Sequence, residues 1–562
     1  SPRTHYTFHN TLCYERGEAE REGNLVSSET RNMRVVSLLS IQILCITSLK
    51  FLVFSPQFAK SHVNFQAKLS DFLVDAGHEV VMVSPVFTSG IGPMTKKVRV
   101  IEIPLNDVNA SDDTSADENS GFSFNAWESS NSIQMFLSSM GMFELWANAC
   151  ESVINDVELI DKLKAEKFDA AFAESLDKCG PVLFHLAGVN KWAVTESVAI
   201  TDGTFYYTQT PTNLAYIPSL SGGAGESMNF FERLSNIIEF TITDLFLGMA
   251  TTDLENTLKK RMPHLPDVKE IMASNSLVFF NSDPLVDFPR ITSARTIDIG
   301  GITVSSEHQP LNETWSNILN LRAKTIYISF GSIAISCDMP EEYKKTIQET
   351  VKSFPDVTFI WKYEKPEHKI SEGIPNLVES SWVPQRDLLY DPRLTAFITH
   401  CGQGSTTEAI DAAMPLIVIP VMGGDQSRNA YQIERNGNGI RLEKTDLAST
   451  GKLQHAIREM LENDRYRKKA RSIKQMIAGR PFSMKEIFVK NMEFLAKHGP
   501  LRQLDHYGRN LNFIQYYLID VVVFVATMLI IVCVVVTCAI RALARRLFIA
   551  KVKLDYQPVN VD

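Results

Sequence analysis

At 562 residues, 44 % hydrophobic and 22 % charged, the chain has a globular composition and is too long for one ordinary core, so two or three units are expected. A net charge of −9 gives no footing to a nucleic-acid partner. Its eight cysteines form no Cys-x-x-Cys pair and there is no His-rich cluster, so the sequence offers no metal site.

In chain order, residues 1–32 are polar and read as an extension ahead of a true start at Met33. Met33-Arg34 followed by VVSLLSIQILCITSL has the basic start and apolar centre of a secretory signal over 33–49, with an uncleaved N-terminal anchor as the alternative. Residues 51–54 (FLVF) read as a first strand, 63–75 as a helix stopping at Gly77, and 78–83 as the next strand. Residues 161–173 repeat the pattern and end in the strand FDAAFA. TIYISF at 325–330 opens a second series, continued by VTFIWK, TAFIT and LIVIP. Two βαβ series predict an α/β protein with two Rossmann-like domains, 50–290 and 291–498. Turn residues gather at the junction, in Asn281-Ser282-Asp283-Pro284 and Gly300-Gly301.

Residues 521–540 carry no charge and suffice to cross a bilayer, which takes ~20 helical residues. A span is therefore expected at 516–540, after a juxtamembrane segment 499–515. Arg541, Arg545, Arg546, Lys551 and Lys553 follow in the tail 541–562. The positive-inside rule places that tail in the cytosol and the bulk of the chain on the other side of the membrane. Asn109-Ala110-Ser111 and Asn312-Glu313-Thr314 are glycosylation acceptor patterns suited to that compartment. Cys150, Cys179, Cys337 and Cys401 are too widely spaced for a disulfide scaffold, and no pair is predicted.

The densest stretch is 382–426, WVPQRDLLYDPRLTAFITHCGQGSTTEAIDAAMPLIVIPVMGGDQ. A strand at 395–399 enters a two-glycine turn at 400–404. Ser405-Thr406-Thr407-Glu408 then opens an amphipathic helix that ends before Pro415. Strand, glycine turn and helix together present a helix N-terminus to a phosphate. A second strand at 416–420 leads to a turn bearing Asp425 and Gln426. Both turns lie at carboxyl ends of strands, where doubly wound sheets bind ligands. Taken singly, the parts are ordinary: Ser405 and Glu408 make a capping box, Trp382 is a core residue, and His400 is a hydrogen-bonded strand end.

In this order and spacing they resemble the signature of the UDP-glycosyltransferases, specifically the membrane-bound UDP-glucuronosyltransferases of animals. The resemblance implies the GT-B architecture, two Rossmann-like domains facing a cleft, with donor in the C-terminal half and acceptor in the N-terminal half. It implies that Trp382 and Gln385 hold uracil, that His400, Gly402 and Ser405 face the diphosphate, that Glu408 takes the ribose hydroxyls, and that Asp425 and Gln426 grip the donor sugar. Gly331 and Ser332, after TIYISF, would lie against the diphosphate. Gly404 departs from the family, which usually has Asn there; this leaves one side-chain phosphate contact to be replaced, and a backbone N–H could do so.

Transfer to an alcohol needs a base for its proton and stabilisation of the departing diphosphate. By the resemblance the base is His62, in the loop SPQFAKSHVNF after the first strand, and its near-neutral titration suits the role. Glu174, where the family usually has Asp, orients it; Asp177 is the fallback, and capping a helix is the other use of either carboxylate. The implied reaction is an in-line, inverting displacement that needs no metal or cofactor. UDP-glucuronate is favoured as donor over UDP-glucose. The acceptor is a small lipophilic hydroxyl compound, as in detoxification, and the aromatic and Met residues of 122–146 either line its pocket or pack a core. The expected location is the endoplasmic reticulum membrane, single-pass, with lumenal catalytic domains. Competing readings are a non-catalytic binder of UDP-sugar or lipid, and a transferase acting on glycolipid or protein. Oligomeric state stays open, a homo-oligomer included.

Overall fold

A computed structural model describes residues 48–555 apart from 89, 106–126, 128–131, 200–203, 211–212, 221, 305–307, 333 and 423. Asn109, Met33 and most of the expected signal lie outside the described residues.

The segment KFLVF forms β1 (Lys50–Phe54), whose apolar residues are buried on both faces, as the middle of a parallel sheet requires. It is flanked by β2 (Glu79–Val86) and β3 (Arg99–Pro104) on one side, and by β4 (Ala170–Ala173), β5 (Trp192–Glu196), β6 (Leu277–Phe280) and β7 (Thr296–Asp298) on the other. The order β3-β2-β1-β4-β5-β6-β7 is parallel throughout and reverses direction at β1 and β4. The second sheet has the order β10-β9-β8-β11-β12-β13, from β8 (Lys324–Ser329), β9 (Val357–Lys362), β10 (Leu377–Ser380), β11 (Leu394–Thr399), β12 (Leu416–Val418) and β13 (Gly439–Arg441). It reverses between β8 and β11, where Ser329 pairs with Thr399. Each reversal opens a crevice at the carboxyl ends of its strands, the place where ligands bind in this architecture.

Seven helices matter to the site and its surroundings: α1 (Lys60–Asp75), α2 (Ser132–Asn155), α3 (Phe230–Arg261), α4 (Gln403–Asp411), α5 (Asp425–Asn436), α6 (Met484–His498) and α7 (Ile519–Asp555). α6 packs Phe488, Met492 and Leu495 against Phe51, Phe172 and Phe279 of the first sheet. The chain thus returns to the N-terminal core after completing the second sheet.

Several boundaries move. β7 pairs with β6, so the first sheet runs beyond the expected end at 290. α6 lies in the N-terminal core although 291–498 was expected to form the other half. Leu49 is buried and its carbonyl accepts from Glu79 N at 2.8 Å, so the expected leader end at 49 falls inside the fold. α7 continues past Ile540 to Asp555, because nothing in RALARRLFIAKVKLD breaks a helix. Residues Ile519–Val552 are long and apolar enough to cross a membrane. Cys150 and Cys179 form a disulfide across 29 residues, a pairing the spacing did not suggest.

Candidate active site

His62 sits in the first turn of α1, not in the preceding loop as its sequence context suggested; the helix begins at Lys60. Its Nδ1 lies 2.8 Å from Glu174 Oε2, just beyond β4. Ser197, just beyond β5, completes the cluster. Its hydroxyl donates to Glu174 Oε1 at 2.6 Å and lies 3.0 Å from His62 Nδ1, and its N–H reaches Glu174 Oε1 at 3.0 Å. These bonds follow from register: β1 and β5 flank β4, so residues following the three strands converge. With Nδ1–H donated to the carboxylate, Nε2 is the ring nitrogen left to accept a proton.

Burial works against a charged His62, but the Glu174, Asp425 and Glu196 carboxylates together outweigh it and hold its pKa above the ordinary value. Burial likewise opposes the Glu174 charge, yet His62 and the two Ser197 bonds hold that carboxyl below its usual range. Glu196, one residue before Ser197, is pushed up to about 7 by burial and by the Glu174 charge. It accepts from the Tyr207 hydroxyl at 2.9 Å. Asp177 lines the small cavity beside His62, but its carboxylate accepts from Cys179 N at 2.9 Å, and it is Glu174 that pairs with His62.

In the second half, Gly331, Gly402 and His400 form a tight stack. A Cβ on Gly331 would lie 2.6 Å from His400 Cε1, and one on Gly402 would lie 2.5 Å from its Nε2. Only hydrogen fits either position. Burial, helped by the Lys362 charge, pushes His400 down to about 4, so its ring is neutral. Lys362 Nζ donates to Gly331 O at 2.8 Å, which places a cation at the same strand ends. Ser332 is exposed there.

α4 starts at Gln403 with Gly402 as its N-cap. The helix therefore opens two residues before Ser405, and Ser405 and Glu408 are not its capping box. Ser405 instead accepts from Gln385 Nε2 at 3.2 Å, and the same amide donates to Glu408 at 2.8 Å. Gly404 lies in the first turn, with nothing within 4 Å of the position of a Cβ. Trp382 is 74 % exposed, so it is not the core residue its type alone suggested.

Asp425 opens α5 and is held by Gln403 N at 3.2 Å; its carboxyl is raised by burial, which the His62 charge partly offsets. Gln426 is different. Its Oε1 accepts from Val421 N and Met422 N, each at 3.0 Å, so that oxygen fixes the turn after β12. Gln403 Nε2 donates to Asn281 O at 2.7 Å, and Asn281 Nδ2 donates to Ser197 O at 2.9 Å. A chain of hydrogen bonds thus links the helix beneath the donor groove to the His62 cluster in the other half. Asn312 is exposed and caps its helix by accepting from Trp315 N.

The segment 122–146 divides. Trp127 is buried among Phe330, Ile335 and Tyr343, and its indole donates to Ile335 O at 2.9 Å; it belongs to the C-terminal core, not to an acceptor pocket. Phe143 and Trp146 do approach His62, through a ring series Phe246–Phe143–Trp146–Phe58–His62 with centroid separations of 4.7, 5.7, 5.3 and 4.8 Å. A cavity of about 830 Å3 lies against Lys68 and Phe72 of α1 and Thr406 and Thr407 of α4.

Ser197, Glu196, Lys362 and Gln403 were missed in sequence. The first three stand at the ends of WAVTES and VTFIWK, where the rule that doubly wound sheets bind ligands at the carboxyl ends of strands would have pointed to them. Among the described residues no group of three His, Cys, Asp or Glu could hold a metal.

Two doubly wound domains with their strand ends converging at a cleft define a GT-B glycosyltransferase. Solved structures of that kind share the fold: the glycosyltransferase VinC in complex with DTDP matches at a TM-score of 0.52 and 15 % identity, covering 80 % of this chain and 100 % of its own. LpCGTa in complex with UDP matches at the same score, identity and coverage. The chain belongs to the family described as "UDP-glucoronosyl and UDP-glucosyl transferase", which matches residues 50–554. Among curated relatives, "Putative UDP-glucuronosyltransferase ugt-48" of Caenorhabditis elegans is 30 % identical over 86 % of this chain and 92 % of its own length. UDP-glucuronosyltransferase 1A8 of Rattus norvegicus is 25 % identical over 83 % and 86 %. The protein is a UDP-glucuronosyltransferase-like transferase.

Proposed function

We propose that the protein transfers a sugar, glucuronate in first place and glucose as the rival, from UDP to a hydroxyl of a small lipophilic acceptor, with inversion. The observation that carries this is the His62–Glu174 pair at 2.8 Å, with the half-buried Asp425 carboxylate near enough across the cleft to act on the same imidazole. His62 Nε2 takes the acceptor proton while Glu174 stabilises the imidazolium that forms. The acceptor oxygen forms its bond to the anomeric carbon as the bond to the UDP oxygen breaks. Negative charge on the departing diphosphate is met by the first-turn N–H groups of α4 and by Lys362 beside Gly331. Trp382 stacks the uracil, Glu408 and its partner Gln385 set the ribose, and Asp425 takes sugar hydroxyls. No metal enters the scheme.

The ring series ending at Phe58 supports an apolar acceptor, since aromatic faces bind apolar ring systems without demanding hydrogen bonds. α7 anchors the protein as a single span, with the catalytic halves on the lumenal side of the endoplasmic reticulum and the basic end of the helix in the cytosol. The test is UDP release by membranes carrying the protein, with each UDP-sugar tried against a panel of phenols, beside His62→Ala. Acceptor-dependent release with one donor, lost in the variant, supports the reading. UDP binding without release from any pairing would favour a non-catalytic binder.

A further inference from the structure

Helices of both halves wall a cavity that the transfer reaction does not use. It measures about 830 Å3 and is lined by Lys68 and Phe72 of α1 and by Thr406, Thr407 and Ile410 of α4. At 3.6 residues per turn, those three α4 residues stand roughly 180° round the helix from Ser405 and Glu408, so α4 itself separates the cavity from the donor groove. Lys68 and Phe72 lie about 9–15 Å farther along α1 than His62, at 1.5 Å per residue. Trp382, Gln385, Phe143 and Trp146 are not among the residues that line it.

Much of the remaining wall comes from the two places where the chain passes between the halves. Residues 300–304 follow β7 at the edge of the first sheet, and residues 480–485 lead from the C-terminal core, on which Ile477 packs, into α6. An occupant therefore touches both halves and both crossings at once. Gln403 lines the cavity too, and its side chain begins the chain of hydrogen bonds that runs through Asn281 to Ser197, beside Glu174.

The chemistry of the wall selects the occupant. Phe72, Ile302, Ile410 and Phe482 supply apolar surface. Most of the carboxylates are already engaged: Asp75 with Lys97 and Lys485, Asp283 with Arg480, Asp287 with Arg428, and Asp71 with the Thr95 hydroxyl. Asp411 feels the charge of Lys474, but the two form no ion pair. Lys68 and Lys474 are half-buried and make no hydrogen bond or ion pair among the described residues. A cation drawn partly out of water gains from an anion placed against it, through a charge-assisted bond. The volume falls within the range of about 300–1,000 Å3 that holds drug-sized ligands.

We propose that this cavity is a second ligand site, for a small organic anion whose acidic group is drawn to Lys68 and Lys474 and whose apolar body lies against Phe72, Ile302 and Ile410. Because its walls belong to both halves, its shape depends on how far the cleft is closed, and the bound anion biases that closure. The site does not depend on which sugar is transferred.

The experiment uses the full chain in non-ionic detergent and a matched pair of photoactivatable probes, trifluoromethyldiazirinyl benzoate and the corresponding benzyl alcohol. After illumination, labelled peptides are mapped by mass spectrometry, with and without saturating UDP. Expected from the benzoate is saturable label on 68–75, 300–304 and 406–411 that UDP does not displace, with much less from the alcohol. The paired variant Lys68→Met with Lys474→Met should keep UDP binding and weaken the benzoate label by about tenfold, as for the loss of one charge-assisted hydrogen bond. Label displaced by UDP, or confined to 143–146, would assign the probe to the donor or acceptor site and overturn the proposal. Equal label from benzoate and alcohol, or no saturable label on the three segments, would overturn it as well, and neither result depends on the variant folding.

Discussion

His62 and Glu174, 112 residues apart, are joined by a 2.8 Å contact between Nδ1 and Oε2 that only the parallel pairing of β1 with β4 can create. The pair leaves Nε2 as the working nitrogen. Removing it in His62→Ala should lower kcat by about 10²–10⁴, the usual contribution of a positioned base. UDP affinity should be unchanged, because no donor contact is lost. Measured kcat within a few-fold of the parent would remove His62 as the base.

The same pair sets a pH dependence. The base must be neutral, and the carboxylates around His62 hold its pKa above the ordinary value of 6.5 despite burial. Turnover should therefore rise with pH along an acid limb centred above that value. In Glu174→Gln the carboxylate in direct contact with the imidazole is gone and burial remains, so the limb should move to lower pH while maximal kcat falls. The sign for stability is opposite. A histidine raised on folding contributes stability that is fully present below its unfolded pKa and is lost as pH rises through the folded value. Denaturation midpoints of wild type and His62→Ala should thus differ most at acid pH and converge toward alkaline pH. An acid limb that stays put in Glu174→Gln would uncouple the two residues.

The glycines of the donor turn are not equivalent. Gly331 has φ +92° and its Cβ would meet the His400 ring, as would that of Gly402. Alanine at either should displace the imidazole, weaken UDP binding and cost about 1–3 kcal/mol of stability, as overpacking does. Gly404 faces open space, so Gly404→Asn should fold at least as well, gaining a few tenths of a kcal/mol in helix propensity. If its side chain reaches the diphosphate, UDP binding tightens as well. Equilibrium UDP binding and thermal melts on the three variants check this ordering.

The elements legible in sequence were those whose buried strands are short, mostly apolar runs rich in β-branched and aromatic residues: FLVF, TIYISF, VTFIWK and TAFIT. β7 is the opposite case. Its three residues TID are all half-buried, and it is a strand only because β6 offers it an edge, so the domain boundary was set too early. In the donor groove, the resemblance picked out Trp382, Gln385 and Glu408 and gave them roles. It could not show that Gln385 holds both Ser405 and Glu408, nor that the oxygen of Gln426 is committed to its own turn, since both depend on side-chain direction. Ser197 was hidden for a related reason: its hydroxyl matters only through the register that sets β5 beside β4. Trp127 shows the limit most plainly, an aromatic in a segment assigned to one half whose ring packs the core of the other.

Arg295 and Asp505 connect the N-terminal sheet to the segment that leads into α7. Arg295 is fully buried; burial lowers its pKa to about 10, with Asp505 as the charge that opposes the shift. Its guanidinium donates to Asp505 at 3.0 Å, and also to Asn275 Oδ1 and Ser276 O. In Asp505→Ala the cation stays buried without a counter-charge, and breaking such a pair costs about 3–5 kcal/mol. The exposed pair of Arg502 with the same carboxylate, at 3.7 Å, is a fair control, since a surface ion pair contributes about 0–1 kcal/mol. Thermal unfolding in detergent should therefore show a large fall in midpoint for Asp505→Ala and almost none for Arg502→Ala. Similar midpoints for the two variants would mean that the segment is not held by Arg295, and that the N-terminal half is free to turn about the end of α7.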